Sequence, residues 1–105
     1  MPHLVIESSE NIESEIIESI HLEVASQETV NIESLKTRFI LCQAAFEANF
    51  SESNSNHVAI TLKLLEGRSD ELKRTMANNI LSKAKSLIRD RQLSVEVIDL
   101  GIYAK

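Results

Sequence analysis

Apolar positions alternate over residues 3–7, where Leu4 and Ile6 share one side and Val5 takes the other. That period of two predicts a short strand. The pattern then changes: Ile16, Ile17, Ile20 and Val24 recur at helical spacing, and Asn11 or Ser14 is placed to cap the start. A polar stretch from Ser26 to Ser34 leads to a second strand at about 36–46. There Lys36, Arg38, Ile40 and Cys42 share one face, and Thr37, Phe39 and Leu41 share the other. Residues 47–57, rich in Ser and Asn, read as a surface loop. Val58 to Leu65 form a third strand, broken by Gly67. Ser69 then caps a long helix running to about Asp90, with Leu72, Met76, Ile80, Ala84, Leu87 and Ile88 on its apolar stripe. Alternation over residues 93–100 gives a fourth strand.

The predicted order is β-α-β followed by β-α-β. Each helix is long enough to cross over a sheet, so the class is an α/β two-layer sandwich. The pattern leaves two strand orders open. In the ferredoxin-like sheet, the commoner one, the two units interleave; in the other they lie side by side.

The chain has 105 residues, which favours a single domain over residues 1–105 with a core of its own. A single Cys cannot close an internal disulfide and fits a cytoplasmic protein. No apolar run is long enough to span a bilayer, and no membrane partner is expected. The net charge of −5 argues against nucleic acid, because phosphate contacts need a basic surface. The charge is unevenly distributed. All eight acids of residues 1–35 stand without a single Lys or Arg, and every basic side chain lies after residue 35. The asymmetry reads first as two oppositely charged solvent faces that help the halves or subunits pair, and it also places any cations of a site after residue 35. Metal-ligand spacing is missing, and two glycines cannot build a phosphate-cradling loop, so neither metal nor cofactor is expected. Cys42, in an apolar strand, suits burial better than nucleophilic chemistry.

The opening Met1-Pro2-His3-Leu4-Val5-Ile6-Glu7, with Ser9 and Asn11-Ile12, resembles that of the 5-carboxymethyl-2-hydroxymuconate isomerase family in the tautomerase superfamily. The resemblance continues at Thr61-Leu62-Lys63-Leu64, at Gly67-Arg68-Ser69, and at Arg91, Leu93 and Glu96. It implies two side-by-side β-α-β units with both helices on one face of a four-stranded sheet, against the ferredoxin-like order. It also implies a homotrimer and a cofactor-independent keto–enol tautomerase in aromatic-compound catabolism. The expected substrate is a small anionic, unsaturated 2-oxo or 2-hydroxy acid. The alternative reading is a non-catalytic oligomeric domain of the same fold that binds a small anion.

The site residues follow from the same resemblance. Pro2, freed by loss of Met1, would be a secondary amine and general base; with Met1 retained its nitrogen is an amide and cannot act. Arg68 matches the family's Gly-Arg-Ser and would bind substrate near a helix start, where backbone N–H groups favour anions. Arg38 matches a second family arginine. Lys36 stands where the family commonly has arginine, which keeps the charge but loses the bidentate fork. His3 reads as a packing or hydrogen-bonding residue.

Overall fold

The computed structural model describes residues 1–43 and 57–105. Its elements in chain order are β1 (His3–Ser8), α1 (Ser14–Ala25), a 3-10 turn (Ile32–Ser34), β2 (Lys36–Leu41), β3 (Val58–Leu64), α2 (Asp70–Leu87) and β4 (Leu93–Asp99). The sheet order is β2-β1-β3-β4. β1 runs parallel to β2 and antiparallel to β3, and β3 runs parallel to β4. Each helix thus connects two adjacent parallel strands, and the two units meet along the β1–β3 ladder. This is the side-by-side arrangement. The ferredoxin-like order, which would interleave them, is excluded.

Alternation along the strands sorts the sheet into two faces. Leu4 and Ile6 of β1 and Val58, Ile60, Leu62 and Leu64 of β3 are buried in one cluster with Ile20 and Val24 of α1 and Met76, Ile80 and Ala84 of α2. Both helices therefore cover the same face. Burial of one such aliphatic side chain is worth roughly 1.5–3 kcal/mol, so this stripe-on-sheet contact dominates the fold's stability. The other face carries His3, Val5 and Glu7, flanked in register by Lys36, Arg38 and Ile40 of β2 and by Lys63, Thr61 and Ala59 of β3.

Several boundaries differ from the sequence expectations. β2 ends at Leu41 rather than near 46, because its partner ends there: Leu41 pairs with Ser8, and the Cys42 N–H bonds the Ser8 carbonyl at 2.7 Å. Residues 44–46 of the expected strand, and all but His57 of the expected loop, lie outside the described residues. Cys42 is half-buried rather than buried, since it stands past the end of the paired strand. Neither Asn11 nor Ser14 caps α1. Glu13 is the cap residue, and it makes no side-chain cap bond. The Asn11 carbonyl instead accepts from Arg91. α2 keeps its expected cap, the Ser69 hydroxyl accepting from the Leu72 N–H at 3.1 Å. It stops at Leu87, three residues early, because Ile88 turns extended (φ −121°) to lead the chain into β4.

Polar contacts tie the helices to the sheet. His21 Nδ1 lies 2.6 Å from the Thr37 hydroxyl, and the Asn79 side-chain amide donates to Gln27 Oε1 at 3.0 Å. Burial alone would lower the Lys73 pKa, but hydrogen bonds and charge from Asp99 and Asp70 outweigh it and raise the value, linking α2 to the end of β4.

Candidate active site

Pro2 immediately precedes β1, buried, with its carbonyl accepting from the Lys36 N–H at 3.0 Å. That bond locks the residue before β1 against the first of β2. The register then fixes what surrounds it. Lys36, His3 and Lys63 form one row across β2, β1 and β3, and Arg38 stands one row further along beside Val5. Directly opposed residues point to the same side of a sheet, so these four side chains all emerge on the face away from the helices. Val5, only 6% exposed, supplies an apolar floor outside the main core cluster.

The electrostatics agree with the geometry. Burial lowers the His3 pKa from its ordinary value, and the positive charges of Arg38, Lys36, the N-terminus and Lys63 lower it further. His3 therefore stays neutral to lower pH than a free imidazole. Its Nε2 lies 3.0 Å from the Tyr103 hydroxyl, with the two rings edge to face at 5.6 Å. His3 is thus held by a hydrogen bond, in keeping with the role expected for it. Among the described residues, Lys36, Arg38 and Lys63 enter no ion pair. This end of the sheet carries a cluster of cations.

Arg68 sits beyond the end of β3, at the same end of the sheet, but its surroundings differ. Its Nε donates to the Thr29 hydroxyl at 2.7 Å, and its two terminal nitrogens donate to the Leu65 carbonyl at 3.0 Å and the Thr29 carbonyl at 2.9 Å. Thr29 has φ +71°, a left-handed backbone that a β-branched residue adopts only when held. Arg68 does the holding. Gly67, with φ +122°, makes the turn that aims Arg68 there and delivers the chain to the Ser69 cap. The structure thus bonds Pro2 to Lys36, sets Arg38 one row further along, and makes Arg68 a brace between the loop after α1 and the turn after β3. Lys63, covered by the resemblance but given no role by it, joins the group. Only the antiparallel register with β1 brings it beside His3. Among the described residues no three His, Cys, Asp or Glu side chains gather in a metal-binding group.

The sequence model of 5-carboxymethyl-2-hydroxymuconate isomerases matches residues 2–100. The chain belongs to that family. Solved structures agree on the fold. A 5-carboxymethyl-2-hydroxymuconate isomerase from Deinococcus radiodurans R1 superposes with a TM-score of 0.80 at 19% identity, covering 99% of this chain and 88% of that one. A 5-carboxymethyl-2-hydroxymuconate delta-isomerase gives 0.76 at 16% identity, covering 100% and 85%. A fused 4-OT wild-type symmetric trimer gives 0.74 at 13% identity, covering 93% and 85%. Comparison with curated proteins returned no significant match.

Proposed function

We propose that this family member, once Met1 is removed, is a cofactor-independent tautomerase with Pro2 as its general base. Its substrate would be an unsaturated, carboxylate-bearing 2-oxo or 2-hydroxy acid of aromatic-compound catabolism, most like 5-carboxymethyl-2-hydroxymuconate, handled in the cytoplasm. The observation that carries the reading is the position of Pro2 next to His3, in a stretch of β1 flanked by Lys36, Arg38 and Lys63, which enter no ion pair among the described residues. Positive charges near a secondary amine disfavour its protonated form, which suits a base that must accept a proton.

The chemistry balances within the substrate. The amine takes a proton from a carbon conjugated with the carbonyl: the C–H bond breaks, N–H forms, and the electron pair moves onto the carbonyl oxygen. The same ammonium returns its proton to a different carbon, so the double bond moves and nothing is oxidised. Lys36 and Arg38 stabilise the oxygen charge and bind carboxylate. Arg68 contributes through its remaining N–H groups, its guanidinium already oriented by Thr29 and Leu65. Lysine at position 36 offers a point charge rather than a fork, which loosens discrimination among carboxylates more than it slows proton transfer.

Assembly as a homotrimer is part of the reading. It is supported by the fold's similarity to a fused symmetric trimer and by the polar, partly open sheet face opposite the helices. Sedimentation equilibrium should return three times the chain mass; a monomer throughout the micromolar range would overturn it. The non-catalytic alternative draws on one observation, that every Arg68 contact among the described residues is internal. Intact-mass measurement paired with a tautomerase assay separates the two. Processed protein should turn over substrate, with kcat/KM rising with pH as the amine loses its proton. No turnover with Pro2 verified as free would leave the binding domain.

A further inference from the structure

Arg68 is fixed by contacts of a different kind from those of the other bonded cations. Its acceptors are two backbone carbonyls and a hydroxyl, and among the described residues it enters no ion pair. Lys73 and Arg91, by contrast, each pair with a carboxylate. The Arg68 guanidinium is thus oriented by uncharged acceptors. Nε and Nη2 form one edge of the group, and both donate to Thr29, to its hydroxyl at 2.7 Å and its carbonyl at 2.9 Å. Nη1 donates to the Leu65 carbonyl at 3.0 Å. These bonds leave over one N–H on each terminal nitrogen, a pair suited to a carboxylate.

Threonine is a costly choice for the other side of this contact. At φ +71° a β-branched residue carries strain that glycine would avoid. Glycine, however, offers only a carbonyl. Threonine adds the hydroxyl, and at this φ both of its acceptors reach the same guanidinium edge. The turn is pinned on either side of Thr29. Gln27, buried, bonds Glu23 of α1 through its side-chain amide and accepts from Asn79 of α2. Val30 packs against the core cluster, and its N–H donates to the Gln27 carbonyl at 3.2 Å. Both helices therefore fix where the Thr29 acceptors stand. Strained backbone persists where its surroundings impose it, and it gathers at sites that must hold a group still.

We propose that Thr29 is a positioning residue: it holds the Arg68 guanidinium in place before a ligand arrives, so that a carboxylate need not order a free arginine side chain. The proposal rests on the substrate-binding role of Arg68 in the reading above and deepens it, placing part of the site's affinity in the loop after α1. Ordering one such side chain is worth about two- to tenfold in affinity.

The test uses processed protein, isotope-labelled for NMR, with crotonate as the probe, an unsaturated monocarboxylate that lacks a 2-oxo group. Crotonate should shift the Arg68 Nε–H signal, assigned by its loss in Arg68→Lys. Its Kd should rise about two- to tenfold in Thr29→Val, which removes the hydroxyl. Thr29→Ser keeps both acceptors and should restore near-wild-type affinity. Thr29→Gly relieves the backbone but lacks the hydroxyl, so it should resist denaturant better than Thr29→Val and yet bind crotonate no better. Affinity that follows stability through this series would make Thr29 a structural residue and overturn the proposal. So would an Arg68 signal that crotonate leaves unmoved. In turnover, Thr29→Val should raise KM about two- to tenfold with kcat moving less, and should add nothing once Arg68 is replaced by alanine. Pro2-dependent turnover with KM unchanged in Thr29→Val would leave the Pro2 reading standing and reject the role of Thr29. Thr29-dependent crotonate binding without any turnover would do the reverse.

Discussion

The two ends of the sheet use positive charge in opposite ways. At the end where β3 begins, Arg91 is occupied: it donates to the Asn11 carbonyl at 3.0 Å and to the Ser8 hydroxyl at 3.4 Å, and it pairs with Glu10 at 3.5 Å. Ser8, 1% exposed, also accepts from the Glu10 N–H, so the turn between β1 and α1 is fastened around one buried hydroxyl. At the Pro2 end, Lys36, Arg38 and Lys63 stand together in register and enter no ion pair among the described residues. Clustered like charges cost folding free energy, and a chain with sixteen acids has ample means of neutralising them. A cation used as a fastener is surrounded by acceptors; a cation kept for a ligand is not. Arg68 shares features of both, at the Pro2 end but held by Thr29 and Leu65.

The comparison breaks most visibly at Pro2. Pro2→Ala should lower kcat/KM about 10²–10⁴-fold, the usual worth of a positioned acid–base group, while the fold persists because the Pro2 carbonyl bond to Lys36 is a backbone contact. Protein that retains Met1 should be slower still, its Pro2 nitrogen having no free pair. Equal rates for blocked and processed protein would remove Pro2 from the mechanism.

Arg68→Ala tests the residue with both characters. Loss of its hold on the left-handed Thr29 should cost about 1–3 kcal/mol of stability, read by denaturant titration, and KM should rise as well. A KM effect without a change in stability would mean that the internal bonds contribute nothing. Arg91→Ala should behave as the pure fastener: a stability loss of about 1 kcal/mol, since Ser8 loses one donor and the Glu10 pair is largely solvated, with kinetics near wild type. A large kinetic defect there would dissolve the distinction between the two ends.

The smallest effect is the pH dependence carried by His3. Its pKa is lowered in the folded state by burial first and then by Arg38, Lys36, the N-terminus and Lys63, so between that value and about 6.5 the unfolded chain binds the extra proton. Stability should therefore fall as pH drops below about 6.5 and stop responding to His3 below its folded pKa. His3→Gln should flatten that part of the profile. An identical slope in the variant would place the dependence elsewhere.

The elements were legible in the sequence because each has a local cause. Ile20 and Val24, and Met76, Ile80 and Ala84, recur at the helical period, and all five are buried where that period puts them. Ser69 caps α2 through its own side chain, a contact that spans three residues. Pro2, Lys36 and Arg38 were visible as site candidates through resemblance of short motifs. Element ends were less legible, as at β2, where the strand stops because its partner stops.

Only the tertiary structure decided the rest. Alternation shows that Lys63 and His3 each point to one face of a strand, but which strand lies beside which depends on the crossover of two whole units. The same holds for Arg68, whose motif announces a cation near a helix start and says nothing of Thr29, thirty-nine residues earlier. His3 and Tyr103 are a hundred positions apart and meet only because the sheet order carries the tail back over β3. Periodicity is a property of neighbours along the chain, so sequence determines faces and caps; the electropositive cluster is a property of neighbours across the sheet, and pairing of strands alone creates it.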